Sequence, residues 1–533
     1  MSSFIKMFKK TSKQPPLKPT IQPQSPQGKE PIEASLAANL QKVKQATGNS
    51  GDVIIREFEI GDSGQLKAAV IYTDGLADSK AISDFILESF MFDAKENGLH
   101  IGEEPFGQDV LKRIKSSSLA IGEIKEATDF EMILNAVLSG DTAILIDGQS
   151  VGIVSGTKGW KDRGVTEPSS QTVVRGPREG FSESLRTNTA LIRRKIKDSN
   201  LWLESMQVGR VTKTDVALMY IKGIVNDEVL QEVRTRLQRI QIDGILESGN
   251  IEELIQDDTF TPFPTVFHSE RPDTIASGLL EGRVAILVDG TPFVLLVPAL
   301  FAQFFQASED YYQRADFASV LRIVRYICFF IALMAPSLYI AITTFHQELL
   351  PSGLLIGLAA QREGVPFPAF VEALLMEITF EILREAGVRM PRAIGQSVSI
   401  VGTLVIGQAA VEAGLVSAAM VIVVAITAIS NFVFPAFNMA ISIRMLRFPL
   451  MGLAASFGLY GITIGLIALI LHLCSLRSFG VPYMSPFAPF IATDQRDAIF
   501  RFPLWSLSSR PRLISQKNII RENTDPPSPE RGK

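Results

Sequence analysis

Cysteine is scarce: the chain has two in 533 residues, Cys328 and Cys474, far apart in sequence. Both sit in apolar runs and read as buried small hydrophobes, which excludes a disulfide framework and a paired-cysteine metal site. Histidine is nearly as rare, with four scattered copies. His346, beside Glu348, reads as an interfacial polar residue, and His472 as a helix–helix hydrogen-bonding group. Also missing are a phosphate-binding Walker loop, a dinucleotide glycine fingerprint and a His-Glu-x-x-His pattern. No set of positioned acids, bases or nucleophiles can be assembled, so the chain reads as a non-enzyme with no catalytic, cofactor or metal residues. A basic surplus is absent as well. The net charge of −4 argues against nucleic acid as a partner. The first fifty residues lack the apolar core of a secretory signal, so the amino-terminal region is expected on the cytoplasmic side.

Residues 1–50 hold eight lysines, two glutamates and many prolines and glutamines. Such a segment buries too little apolar surface to offset its ordering entropy, and is expected to be a disordered tail. It reads as a polybasic arm near anionic lipid or as a solvated tether. From residue 51 the pattern is α/β. Val53–Ile60 alternates as a strand, Val70–Tyr72 is a short buried strand, and Ala81–Phe92 has helical spacing. Gly140-Asp-Thr-Ala-Ile-Leu-Ile-Asp-Gly148 returns as Gly282-Arg-Val-Ala-Ile-Leu-Val-Asp-Gly290, with four of the seven positions before Asp-Gly identical. Asp-Gly supplies the positive φ of a hairpin turn. Duplication explains the repeat better than chance and implies two related subdomains, 51–190 and 191–312. Between the hairpins, Arg175, Arg178 and the basic cluster after Arg186 suit an anion, a neighbouring chain or plain solvent.

Beyond residue 320 the composition changes. Stretches 326–347, 393–411, 413–443 and 448–476 lack Asp, Glu, Lys and Arg. A bilayer core about 30 Å thick needs roughly 20 apolar residues per helix, so these read as spans. Leu349–Gln361 is too short to cross. Arg322 and Arg325 before the first span, and an arginine-rich tail, place both ends inside and require an even number of crossings. Four are preferred and five remain open. Four crossings put Arg384, Arg389, Arg392, Arg444 and Arg447 on the outer side, against the positive-inside rule. Residues 313–480 thus form a transmembrane domain, and 481–533 a cytoplasmic tail. The expected fold class is a soluble α/β N-terminal region of two related subdomains followed by an all-α multi-pass transmembrane domain.

Two patterns inside that domain suggest function. Phe367–Leu383 carries Glu372, Glu377 and Glu381, and Glu377, Glu381, Arg384 and Glu385 share a helix face. Glu377 and Glu381 are candidate pore-mouth carboxylates for a cation pathway, or belong to a surface-lying helix paired with its own arginine. In Ala393–Ala410, Gln396, Ser399, Thr403 and Gly407 form a small, polar stripe opposite an apolar face. The stripe is either a pore lining shared by several copies or a close-packing surface. A secondary transporter would require inverted repeats among the spans, and none is evident.

Several strings resemble one family. They are Arg175-Gly-Pro-Arg-Glu-Gly-Phe181, Glu363-Gly-Val-Pro-Phe-Pro368, Glu372–Gly387, Gly395-Gln-Ser-Val-Ser-Ile-Val-Gly402, Leu446-Arg-Phe-Pro-Leu450 and Ser475-Leu-Arg-Ser-Phe-Gly-Val-Pro-Tyr483. Over residues 51–510 the chain is similar to the A subunits of bacterial spore germination receptors, the GerA type. The resemblance implies a multi-pass protein of the spore inner membrane with its amino-terminal region on the core side. It implies a B subunit of transporter-like fold that senses nutrient and a C subunit that is a lipoprotein. It further implies a ring, a pentamer, that conducts monovalent cations when nutrient is sensed. A stand-alone A-like protein and a non-conducting scaffold are the alternatives.

Overall fold

The computed structural model describes residues 30–60, 66–86, 124–159, 167–168, 171–389, 407–522 and 524–527. The chain divides into two compact units, the second of which holds everything after residue 159.

In chain order the first elements are α1 (Leu36–Ala46), β1 (Val53–Ile60), β2 (Leu66–Thr73), α2 (Ser79–Ile86), β3 (Ile124–Ala127), α3 (Phe130–Leu138), β4 (Thr142–Ile146) and β5 (Gly152–Ser155). The strands form one sheet in the order β1-β2-β4-β5-β3. Pairing is antiparallel from β2 to β4, β4 to β5 and β5 to β3. The stretch expected to be disordered through residue 50 therefore contains a helix. Leu36, Leu40 and Val43 recur at helical spacing and are buried, which offsets the cost of ordering. Asp147 Oδ1 accepts the Leu36 N–H at 2.9 Å, and the Gly148 N–H donates to the Ala34 carbonyl at 2.8 Å.

The second unit repeats this pattern with α4 (Leu185–Lys195), β6 (Leu201–Val208), β7 (Thr214–Ile221), α5 (Asp227–Gln238), α6 (Ser248–Ile255), β8 (Phe267–Ser269), α7 (Pro272–Leu280), β9 (Val284–Val288) and β10 (Val294–Val297). Its sheet runs β6-β7-β9-β10-β8. Asp289 Oδ1 accepts the Leu185 N–H at 3.0 Å, and the Gly290 N–H donates to the Glu183 carbonyl at 2.8 Å. Asn188 bridges Ser182 through both backbone groups, as Asn39 bridges Glu33. Each Asp-Gly turn has its glycine at positive φ, 80° at Gly148 and 87° at Gly290, and each also caps a helix. The boundary expected between 190 and 191 falls inside α4, because that helix belongs to the repeat whose Asp-Gly turn caps it.

Alternation along the second sheet sends side chains to two cores. Val216, Leu218, Ile286 and Leu295 face α5 and α6 through Val229, Val233 and Ile251. Ala217, Met219, Leu287 and Leu296 face α4 and α7 through Leu191, Ile275 and Leu279. This second core continues into the C-terminal helices through Phe301, Phe304, Phe305, Phe329, Phe434 and Tyr483. Phe305 stacks on Tyr326 at 4.4 Å and meets Phe329 edge-on at 5.5 Å.

The C-terminal block comprises α8 (Ala315–Thr344), α9 (Ser352–Glu363), α10 (Ala369–Arg389), α11 (Gly407–Glu412), α12 (Ala418–Asn431) and α13 (Phe437–Ser475). Two helices are long and apolar enough to cross a membrane, Ala315–Phe345 and Phe437–Ser475. The second is two limbs. Gly458 is non-helical at φ 60° and ψ −141°. A Cβ on Gly461 would lie 2.2 Å from the Leu453 carbonyl oxygen, and one on Gly465 2.6 Å from Leu450 Cδ2. Such closeness between residues eight or more apart requires the helix to fold back as a hairpin. Two of the charge-free stretches therefore do not coincide with single helices. The one at 413–443 is split before Phe437, where Pro435 cannot donate to a helical ladder, and the one at 448–476 is split at Gly458. The 393–411 stretch lies mostly outside the described residues. Cys328 is half-buried and Cys474 exposed on the helix surface, so neither is the buried residue expected.

Both ends of this block are fastened to the second sheet's subdomain. Asp310 accepts from Arg322 Nε at 2.8 Å and from both terminal nitrogens of Arg325 at 2.7 and 2.9 Å. Arg322 also donates to Asp497 Oδ1 at 2.8 Å. After α13 a two-stranded ribbon, β11 (Arg477–Ser478) and β12 (Val481–Pro482), returns to the sheet. The Ala299 N–H donates to Ser478 Oγ at 2.9 Å, Arg510 Nε to the Leu280 carbonyl at 2.7 Å, and Ser515 Oγ to the Ile224 carbonyl at 2.8 Å.

Candidate functional site: a buried carboxylate–arginine ladder

Helix α10 is apolar apart from its acids, Thr379, Arg384 and Arg389, and its neighbours decide what those acids can do. Glu372 is fully buried. Its Oε2 accepts from the Ser417 backbone N–H at 3.0 Å and from Ser417 Oγ at 2.9 Å, and its Oε1 lies 3.4 Å from Arg362 Nε. Ser417 is the N-cap of α12, so this carboxylate sits at a helix amino terminus, where partial positive charge favours it. Five residues on, Glu377 is also fully buried and is paired with Arg447 of the first limb of α13. Arg447 is held from the other side by the Ala332 carbonyl of α8 at 2.8 Å. One turn further, Glu381 takes Arg444 at 2.6 Å. Arg384 lies over the rings of Phe432 and Phe437 at 5.9 and 5.3 Å.

The geometry follows from spacing. Glu377 and Glu381 are four apart on α10, and Arg444 and Arg447 are three apart on α13, so each pair occupies one helix face. Running the limb against α10 matches the two pairs rung for rung. Arg447 is thus a buried partner and Arg444 a half-buried one inside the helical block, rather than loop residues that orient it.

The ladder is only partly satisfied. Among the described residues, Glu372 Oε1, Glu377 Oε1, Glu381 Oε1, Arg384 Nη1, Arg444 Nε and Arg447 Nη2 are buried without a hydrogen-bond partner. A buried charge with a missing partner is costly, more so in hydrocarbon, and such groups cluster at functional positions. Chemically the ladder offers buried carboxylate oxygens and guanidinium nitrogens with hydrogen-bonding capacity left unused. Among the described residues no group of three or more His, Cys, Asp or Glu side chains is arranged to hold a metal ion.

Of the residues singled out from the sequence, Glu377 and Glu381 lie in this ladder. Gly407 opens α11 and is buried, and a Cβ on it would sit 3.6 Å from Val421. Gln396, Ser399 and Thr403 lie outside the described residues. His472, expected to bond another helix, instead meets Thr261 of a loop at 2.8 Å. Sequence reasoning missed Arg444 and Arg447 as partners. Their three-residue spacing inside an apolar run was the available signal.

Residues 41–513 match the model of the Bacillus/Clostridium GerA spore germination protein family. The chain belongs to this family. A GerA-family relative, spore germination protein KA of Bacillus subtilis (strain 168), is 52% identical over 494 residues, covering 93% of this chain and 89% of its own. The uncharacterized membrane protein YfkQ of the same organism is 45% identical, covering 92% of this chain and 93% of its own. Among solved structures, the N-terminal domain of the A subunit of the Bacillus megaterium spore germinant receptor GerK3 is 43% identical. That match covers 51% of this chain and 98% of the other, with a TM-score of 0.41. The ladder, α8 and both limbs of α13 all lie within the span matched by the GerA family.

Proposed function

We propose that this chain is the A subunit of a spore germination receptor and acts as a nutrient-gated, oligomeric channel for monovalent cations. It would sit as a multi-pass protein in the spore inner membrane, its amino-terminal region facing the core. Its partners would be a B subunit that senses nutrient and a C-subunit lipoprotein, and its own copies would form a pentameric ring. Family membership over nearly the whole chain carries the receptor assignment. The attachment of both ends of the helical block to one subdomain supports an even number of crossings. The half-satisfied carboxylates support a polar route through the helices, because charge is retained in an apolar block where function needs it.

In this reading nutrient capture by the partner shifts an equilibrium between closed and open rings. The stripe of Gln396, Ser399, Thr403 and Gly407 lines the route, and Glu377 and Glu381 stand at its mouth. Replacing Ser399 and Thr403 together by Leu is expected to reduce nutrient-triggered potassium release at least several-fold while the complex still assembles. Wild-type release from an assembled variant would remove the pore assignment.

A second reading, a non-conducting scaffold, draws on the pairing of Glu377 and Glu381 with arginines, which is also how buried helices lock together. Voltage-clamped bilayers holding intact oligomers separate the two. Discrete cation currents favour the channel, and silence favours the scaffold.

A further inference from the structure

The loop between α6 and β8 is tied to both limbs of α13. Thr261 Oγ1 lies 2.8 Å from His472 Nε2 on the second limb, and Ser442 Oγ on the first limb donates to the Pro262 carbonyl at 2.5 Å. Phe263 is buried, its ring 6.3 Å from that of His472. Ser442 lies five residues inside the start of the first limb, about 7.5 Å of helical rise, and His472 lies three from the end of the second, about 4.5 Å. The loop thus meets the helices at a level they occupy themselves, inside rather than above their ends.

At the tip of this loop stands Phe260, 94% exposed. Its backbone N–H donates to Asp258 Oδ1 at 3.0 Å, which fixes the turn that presents the ring. Asp257 is committed to Arg236 at 2.9 Å. The exposed apolar side chain at the tip is thus a phenyl ring, with half-exposed Asp258 and exposed Thr259 beside it. Leu471, the residue before His472 on the second limb, is also exposed. Phe and Leu side chains that reach a bilayer surface bury at the boundary between headgroups and acyl chains.

We propose that Phe260 inserts into the lipid interface and fixes the depth at which the second α/β subdomain meets the membrane. The proposal rests on the reading of α8 and α13 as membrane helices. The partner is a phospholipid surface.

The test uses the full chain with Cys328 and Cys474 replaced by Ala, a nitroxide label at F260C or F330C, and vesicles of phosphatidylcholine and phosphatidylglycerol. Phe330 is an exposed residue in the middle of α8. Collision with oxygen reports lipid, and collision with a water-soluble nickel chelate reports solvent. The expected result is that both labels favour oxygen over nickel, with F330C several-fold more so than F260C. Lipid accessibility at F330C with solvent accessibility at F260C overturns this inference and leaves the membrane reading standing. Solvent accessibility at both overturns the membrane reading and this inference with it. Dipolar broadening between labels at F260C, showing a second copy against the loop, also overturns it.

Discussion

Arg447 is the residue on which the ladder turns, since it joins α8, α10 and the first limb of α13 through the Ala332 carbonyl and Glu377. Removing one partner of a buried pair costs about 3–5 kcal/mol, because the other charge is left unpaired. Arg447→Met is therefore expected to lower the thermal midpoint of the detergent-solubilised protein sharply. Adding Glu377→Gln should recover part of the loss. If the double variant melts no higher than Arg447→Met alone, the two residues do not act as a pair. The carboxylate face was legible in the sequence because i, i+4 spacing is local. Its partners were not, because they lie 70 residues away for Glu377 and 63 for Glu381, and pairing at that range is set by packing.

At the scale of elements, the Asp-Gly repeat was the most informative string, since one motif announces a hairpin and, through its aspartate, the start of a distant helix. Its reach explains why the subdomain edges were misplaced: the helices it caps lie upstream of the strands that reveal the repeat. Charge-free runs proved a poorer guide. They mark apolar surroundings, but the turns inside them come from Pro435 and Gly458. Gly458 is a test of the hairpin. Its φ is positive, and a Cβ there would lie 2.7 Å from His346 Cε1. Gly458→Ala should cost about 1–3 kcal/mol in strain alone, read as a lower melting temperature with the helical circular-dichroism signal retained. An unchanged midpoint would mean the two limbs form one straight helix.

On the scale of the whole molecule, the arginines read as orientation signals have a second task. Arg322 and Arg325 converge on Asp310, and Arg322 continues to Asp497 in the returning tail. Asp310→Ala leaves Arg325 without a carboxylate and Arg322 with Asp497 alone, and should cost about 3–5 kcal/mol. Trypsin should then cut within residues 496–512 at least tenfold faster than in the parent, with the helices still in the detergent micelle. Equal cleavage rates would show that the tail is held without this network.

The aromatic wedge of Phe301, Phe304, Phe305, Phe329 and Tyr483 leaves no slack joint between the second sheet and the helices. A push on the sheet therefore reaches α8 as torque on a single stiff body, and any pivot that lets the helices part has to lie within the helical block.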